Sequence, residues 1–272
     1  MSNRKISLIT MGQGNVLVLK QTLESFKNVV SEVIYGDMLL FPEDRVILES
    51  YKKEYNINIQ RLPFNYLFQM GFSNCLNFLA SNATNDLVMY MNTSEAIDED
   101  YGIVDIVNDN LDCNMFYFTH RTDPHRWFRC YNRMELQWKG FIHEEVVPII
   151  GEERPYHKPI FMMRDIEKDM QDPFKALVFN LIKEQSYFKN YTRIVDYPKL
   201  FEGTNEGWKK FALEQYDSMK ERLEKHPMLH NAMKTGNFQM LIDDLQNNPA
   251  FLSERLESSK LINFQGIRKD IL

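Results

Sequence analysis

With 272 residues, 44% of them hydrophobic and 13% aromatic, the chain can bury a substantial core and fill one large domain or a medium one with an appendage. A charged fraction of 26% argues against wholesale disorder, and a net charge of −6 argues against general nucleic-acid binding, which needs a basic field. Cys75, Cys113 and Cys130 lack paired spacing and read as free thiols of a reducing compartment, not as a disulfide framework or a metal knuckle.

The first five residues run directly into a short apolar stretch, too short and too interrupted for a signal-peptide core. Nowhere do about 18 apolar residues follow one another, so no transmembrane segment is expected and the expected location is the cytoplasm. Ile6 to Thr10 (ISLIT) is a β-branched strand that ends in a turn with two glycines, Gly12 and Gly14. Val18, Leu19, Thr22, Leu23 and Phe26 recur at helical spacing. Val29 to Tyr35 predicts a second strand closed by Gly36 and Asp37. A helix follows over Pro42 to Tyr55, with Pro42 in its first turn and Glu43 and Asp44 at the positive end of its dipole. Ile57 to Leu62 is a third strand, Gly71 to Ala80 a third helix, and Asp86 to Met91 a nearly continuous apolar strand suited to the middle of a sheet.

This alternation predicts a parallel α/β sheet with ligands at the carboxyl ends of its strands. The Thr10–Asn15, Gly36–Asp37 and Asn92–Glu95 turns then share one rim. Beyond residue 100 the spacing predicts strands at Met115 to Thr119, Trp127 to Tyr131 and Val146 to Ile150, and helices dominate from Asp172 onward. A catalytic domain over 1–165 and a helical C-terminal region over 166–272 is the simplest partition. Apolar stripes such as Phe174, Leu177, Val178 and Leu181 pack against the first domain, or form a homo-oligomer seam or an acceptor-side wall.

Three stretches carry chemistry. The run Tyr90 to Ile97 (YMNTSEAI) ends a buried strand in short polar side chains and a carboxylate. Such oxygens suit a hard cation that neutralises a diphosphate, or else Thr93 or Ser94 caps a following turn. The run Glu135 to Glu145 (ELQWKGFIHEE) sets a His beside two carboxylates, with Trp138 and Gly140 just upstream. It offers a base, a metal or phosphate contact and a stacking surface, or it is a surface strand with ordinary charges. It is no zinc-protease motif, because Val147 stands where the second His would be. His120, Arg121, His125, Arg126, Trp127, Phe128 and Arg129 form a basic aromatic cluster that meets an anionic ligand or lies along a solvated edge.

In their order and spacing, ISLITMGQGN, the strand ending at Asp37, the Phe68 to Leu79 helix with Ser73 and Asn74, the YMNTSEAI run and the WKGFIHE run over Trp138 to Glu144 resemble the family-2 glycosyltransferases with the GT-A fold. The resemblance covers about residues 4 to 150. It implies a GT-A nucleotide-diphospho-sugar transferase fold, with a mostly parallel central sheet flanked by helices and a helical C-terminal appendage. It further implies inverting transfer of a hexose from a UDP-linked donor to a glycan, lipid-linked or protein acceptor. The donor-binding residues it implies are Thr10, Met11, Gly12, Asp37, Arg61, Asn74, Asn92 and Thr93. A divalent cation, Mn²⁺ or Mg²⁺, falls to Ser94, Glu95 and His143. Glu144, or in competition Glu145, is the base that deprotonates the acceptor hydroxyl.

Two positions depart from the family pattern. Asn92, Thr93 and Ser94 stand where Asp-x-Asp is usual, which weakens the case for a metal. Ser73 replaces a frequent Arg, for which Arg61, Arg121 or Arg129 are the candidate substitutes. The eroded motif motivates an alternative: a catalytically inactive sugar-nucleotide-binding or scaffolding protein of the same fold. A nucleotidyltransferase ranks below both, because residues 11–15 hold no Lys or Arg.

Overall fold

The computed structural model describes residues 4–12, 16–38, 42–62, 64–93, 95–97, 102–120, 123–139, 145–150 and 157–165, with isolated positions between 231 and 247. In chain order the elements are β1 (Ile6–Gly12), α1 (Val16–Phe26), β2 (Glu32–Asp37), α2 (Pro42–Lys52), β3 (Ile57–Arg61), α3 (Phe64–Ser81), β4 (Leu87–Tyr90), β5 (Glu95–Ile97), α4 (Ile103–Asp109), β6 (Met115–His120), β7 (Asp123–Asn132), β8 (Leu136–Lys139), β9 (Glu145–Pro148) and β10 (His157–Asp165).

Eight strands form one sheet in the order β3-β2-β1-β4-β7-β6-β10-β5, and β8 and β9 make a separate two-stranded ribbon. The pairings β3–β2, β2–β1, β1–β4 and β6–β10 are parallel, while β7 runs antiparallel to both its neighbours and β5 antiparallel to β10. The expected fold class, an α/β architecture whose mostly parallel sheet is flanked by helices, is the one found.

Helices cover both faces of the first half. Alternate residues of the strands, Ile6 and Leu8, Val33 and Tyr35, Leu87 and Met89, share one core with Leu19, Leu23 and Phe26 of α1 and Leu48 and Tyr51 of α2. On the other face, Leu79 of α3 reaches Gly36, and α3 also packs against β8. Every residue of β1 is therefore buried, as a central strand between two layers requires. The three cysteines are free and buried, Cys75 on α3, Cys113 just before β6 and Cys130 on β7. No helix among the described residues is long and apolar enough to cross a membrane.

Several boundaries differ from the sequence expectation for local reasons. Gly36 and Asp37 continue β2 instead of closing it, because pairing with β1 runs to Gly12 and pairing with β3 runs to Arg61. The third helix begins at Phe64, seven residues early, and is interrupted at Gly71, whose φ of 77° and ψ of 174° favour glycine. The helices expected beyond residue 166 lie outside the described residues, apart from helical positions between 231 and 247.

Candidate functional site

The chain leaves β1 through α1 to reach β2 on one side. It returns from β3 through α3 to β4 on the other side of β1. The strand order thus reverses between β1 and β4, and it is beyond the carboxyl ends of the strands at such a point that open α/β sheets bind ligands. The candidate donor-binding residues are distributed around this point.

Gly12, the last residue of β1, is directly opposite Asp37 at the end of β2. A Cβ on Gly12 would lie 2.4 Å from the Tyr35 hydroxyl and 3.2 Å from Cγ2 of Thr93, so this glycine lets the β2 and β4 sides approach closely. Past the strand ends the backbone stays knitted: the Met38 amide donates to the Gly12 carbonyl at 3.2 Å and the Leu62 amide to the Asp37 carbonyl at 3.0 Å. Asp37 is only 3% exposed, and its Oδ2 accepts from Nε of Arg45, in the first turns of α2, at 3.0 Å. Thr10 is fully buried, and its hydroxyl has no hydrogen-bond partner among the described residues. Met11 is buried, facing the α3 layer beside Gly36. Arg61 is exposed at the end of β3, level with Asp37. Asn74 is exposed on α3, between the buried Ser73 and Cys75.

On the β4 side, Asn92 to Glu95 form a tight turn closed by the Glu95 amide donating to the Asn92 carbonyl at 3.0 Å. The Thr22 hydroxyl of α1 donates to the Thr93 carbonyl at 2.9 Å and fixes the turn against the helix layer. A strand, β5, follows this turn, and α4 begins only at Ile103 after Gly102 in the left-handed region, with no side-chain cap bond.

Glu95 is 6% exposed, and both its carboxylate oxygens are engaged. The Asn92 amide donates to Oε2 at 2.8 Å, the Asn92 side-chain amide to Oε1 at 2.7 Å, and Nη2 of Arg129 to Oε1 at 3.2 Å. Arg129 is itself 7% exposed and lies over the Tyr90 ring at 4.8 Å and the Trp127 ring at 5.2 Å. A buried ion pair of this kind is held in place because removing either partner strands the other charge.

Glu95, the one described residue of the set that the resemblance implies for a divalent cation, does not fit that role. A hard dication wants six or more oxygens, several of them charged. Ser94 and His143 lie outside the described residues, and no cluster of three or more His, Cys, Asp or Glu side chains that could hold a metal forms among the described ones. The carboxylate of Glu95 is already committed to a guanidinium. A second cation brought to the same carboxylate meets repulsion from Arg129 of about 4 kcal/mol per unit charge at 4 Å and an effective dielectric of about 20, which offsets the attraction of the carboxylate itself.

Of the two candidate bases, Glu144 lies outside the described residues. Glu145 is exposed at the start of β9, opposite Lys139 of β8. Trp138, which offered a stacking surface in the sequence, is 5% exposed and packed edge-on against Tyr90 and Tyr131 at 5.6 and 5.9 Å. Its backbone is clamped by Asn77 of α3 through two hydrogen bonds of 2.8 Å. It is a core residue tying the β8–β9 ribbon to α3. The exposed indole of the region is Trp127, at 38%.

A cavity of 320 Å³ lined by residues including Arg4, Lys5, Thr84, Asn85, Asp86 and Asn132 lies at the amino ends of β1 and β4, the edge opposite the candidate donor-binding residues. The Arg129–Glu95 pair escaped the sequence reading because the two residues are 34 positions apart and come together only when β7 pairs with β4. Their presence in two stretches singled out separately was the one available signal.

No protein-family model matches the chain, and no curated protein matches it. Its structure is similar to that of S. aureus TarS, with a TM-score of 0.41 and 11% identity over 88% of this chain and 55% of that one. It is also similar to S. aureus TarS 1-349 in complex with UDP-GlcNAc (TM-score 0.38, 12% identity, 98% and 94% covered). A third similar structure is the mannosyltransferase PcManGT from Pyrobaculum calidifontis in complex with GDP-Man and Mn²⁺ (TM-score 0.44, 9% identity, 97% and 88% covered). The chain spans just over half the length of the longer TarS chain. At TM-scores below 0.5 these likenesses carry nothing about the roles of individual residues.

Proposed function

We propose that the chain is a glycosyltransferase that moves a sugar from a nucleoside-diphosphate donor onto a hydroxyl acceptor, within a GT-A catalytic domain over residues 1–165 followed by a helical region over 166–272. One observation carries this most: Gly12 stands between the buried carboxylate of Asp37 and the fixed Asn92–Glu95 turn, at the point where strand order reverses. A planar base has an acceptor in Asp37, and the diphosphate has the 92–95 turn within one strand's width.

In this proposal the Thr10–Gly12 backbone forms the floor under the nucleoside, with Arg61 and Asn74 on its rim and UDP as the preferred nucleotide. The acceptor hydroxyl gives its proton to Glu144, or to the neighbouring Glu145. Its oxygen forms a bond to the anomeric carbon from the face opposite the diphosphate, which leaves with the electron pair of the broken bond and inverts the centre. No step passes through a divalent cation. The cytoplasm, a glycan, lipid-linked or protein acceptor and self-association through the C-terminal helices belong to the same proposal.

The test is transfer and donor binding together. A thermal-shift panel of UDP- and GDP-sugars, with and without Mn²⁺, should single out one nucleotide, since preferential binding to the folded state raises its stability. Glu144→Gln should then abolish transfer and spare donor binding. Full turnover in Glu144→Gln moves the base to Glu145; a panel in which no nucleotide stabilises the chain overturns the proposal. A second reading, a donor-binding protein without catalysis, is favoured by Asn92-Thr93-Ser94 in place of two aspartates. It predicts donor binding with neither hydrolysis nor transfer under any metal.

A further inference from the structure

Resting on the glycosyltransferase reading, we propose that Arg129 replaces the divalent cation as the positive charge that receives the donor's diphosphate, and that Glu95 is the residue positioning it. The placement of Arg129 begins in the sheet. Along β6 and β7, Phe116 pairs with Cys130 and Tyr117 with Phe128, so Arg129 has no opposite number and forms a bulge. The β4–β7 ladder runs from Leu87 to Met89, and Arg129 follows immediately beyond it. Bulges of this kind re-aim a side chain beside a site. Here the bulge delivers a guanidinium to the carboxyl end of β4, at the strand-order reversal.

Three contacts then fix its direction. The Tyr90 ring lies on one side at 4.8 Å, the half-exposed Trp127 ring within 5.2 Å, and the Glu95 carboxylate at 3.2 Å. Glu95 is locked in turn by two donors from Asn92. The chemistry agrees with the geometry. Glu95 accepts three hydrogen bonds from within the protein, and the residues where Asp-x-Asp is usual contribute no carboxylate. Among the described residues a dication has little to hold it. A guanidinium remains charged at every accessible pH, and its planar fork of N–H donors matches phosphate oxygens. Buried at 7% exposure, its charge is weakly screened by solvent and costs no reorganisation as negative charge develops on the leaving group.

The experiment uses the full chain with UDP and GDP as probes, by thermal shift and calorimetry, in EDTA and in MnCl₂. A nucleotide at about a hundred times its Kd should raise Tm by about 5–10 °C in EDTA, and MnCl₂ should add nothing. Arg129→Met should weaken that binding by about tenfold or more, and Arg129→Lys should recover part of it. Glu95→Gln should keep part of that binding in EDTA, since Gln keeps an acceptor for Arg129, while Glu95→Ala should lower it about as far as Arg129→Met does. Nucleotide stabilisation that appears only with MnCl₂ and is abolished by Glu95→Gln overturns the inference and leaves the glycosyltransferase reading standing. Absence of stabilisation by any nucleotide in either buffer overturns that reading and the inference with it. Should Arg129→Met fail to fold, the comparison of EDTA with MnCl₂ on the unmodified chain and on Arg129→Lys still decides.

Discussion

The Nε of Arg45 donates to Oδ2 of Asp37 at 3.0 Å, joining an arginine that is 42% exposed to a carboxylate that is 3% exposed. The arginine half contributes little by itself, because its charge is shared with water. The carboxylate half matters more, since a buried oxygen that loses a donor keeps its desolvation cost. Arg45→Ala should therefore lower unfolding free energy by about 1–2 kcal/mol in urea melts. Asp37→Asn should be milder for stability but should weaken nucleotide binding by about tenfold or more, read by calorimetry. Unchanged nucleotide affinity in Asp37→Asn would remove Asp37 from the base-binding role.

The two glycines at the ends of β1 and β2 predict different outcomes. A methyl group at Gly36 meets Cβ of Met11 at 2.9 Å, Leu62 at 3.1 Å and Leu79 at 3.2 Å, all within the packed α3 layer. Gly36→Ala is an overpacking change and should cost about 1–3 kcal/mol of stability. At Gly12 the obstacles are the buried Tyr35 hydroxyl and Thr93 Cγ2, at the carboxyl end of β1 beside the 92–95 turn. Gly12→Ala should weaken nucleotide binding more than Gly36→Ala does, in a side-by-side titration of folded protein.

Stability should depend on pH through Glu32. Burial alone would raise its pKa, but hydrogen bonds from the Ser7 hydroxyl at 2.5 Å, the Thr84 hydroxyl and amide at 2.7 Å each, and Asn85 outweigh it and leave the group below its ordinary value of 4.5. A carboxylate with a depressed folded-state pKa adds stability above its unfolded value and loses it as pH falls through the folded one. Denaturation of the unmodified chain and of Glu32→Gln at a series of pH values should show the largest gap above pH 4.5, closing in acid. A gap that widens toward acid would reverse the sign and refute the assignment.

Trp138 separates core from contact surface. Packed on Tyr90 and Tyr131 at 5% exposure, it should cost about 3–5 kcal/mol when truncated to Ala. Trp138→Phe should fold and retain nucleotide binding within a factor of about two, because its place is in the core. Trp127→Ala should show the opposite profile, with little loss of Tm and weaker donor binding.

The first half of the fold was legible because its signals are local. Ile6–Thr10, Ile57–Leu62 and Asp86–Met91 are compact apolar runs separated by amphipathic helices, and their parallel pairing follows from that alternation. In the second half β6, β7 and β9 were legible as strands, while the remaining elements were hidden in mixed sequence. The β8 segment Leu136–Lys139 is four residues among charges, α4 is seven residues, and β10 carries Pro159, which argues against a central strand. That proline is accommodated because the β6–β10 register shifts between Pro159 and Met162. Of the candidate site, Gly12, Asp37 and Glu95 could be assigned to strand ends from the sequence alone. The pairing of Glu95 with Arg129 was not, because a bulge in one strand and a turn after another are each local, whereas their meeting is set by tertiary pairing.

The three cysteines give the molecule a built-in clock. Each thiol is fully buried, and burial raises the pKa of Cys75 to about 12 and moves that of Cys130 upward as well. Alkylating reagents need an accessible thiolate, so iodoacetamide has nothing to attack until a layer opens. Cys75 sits under α3, while Cys113 and Cys130 belong to the core shared with α1. The order in which mass spectrometry finds them carbamidomethylated therefore reports which side of the sheet is uncovered first.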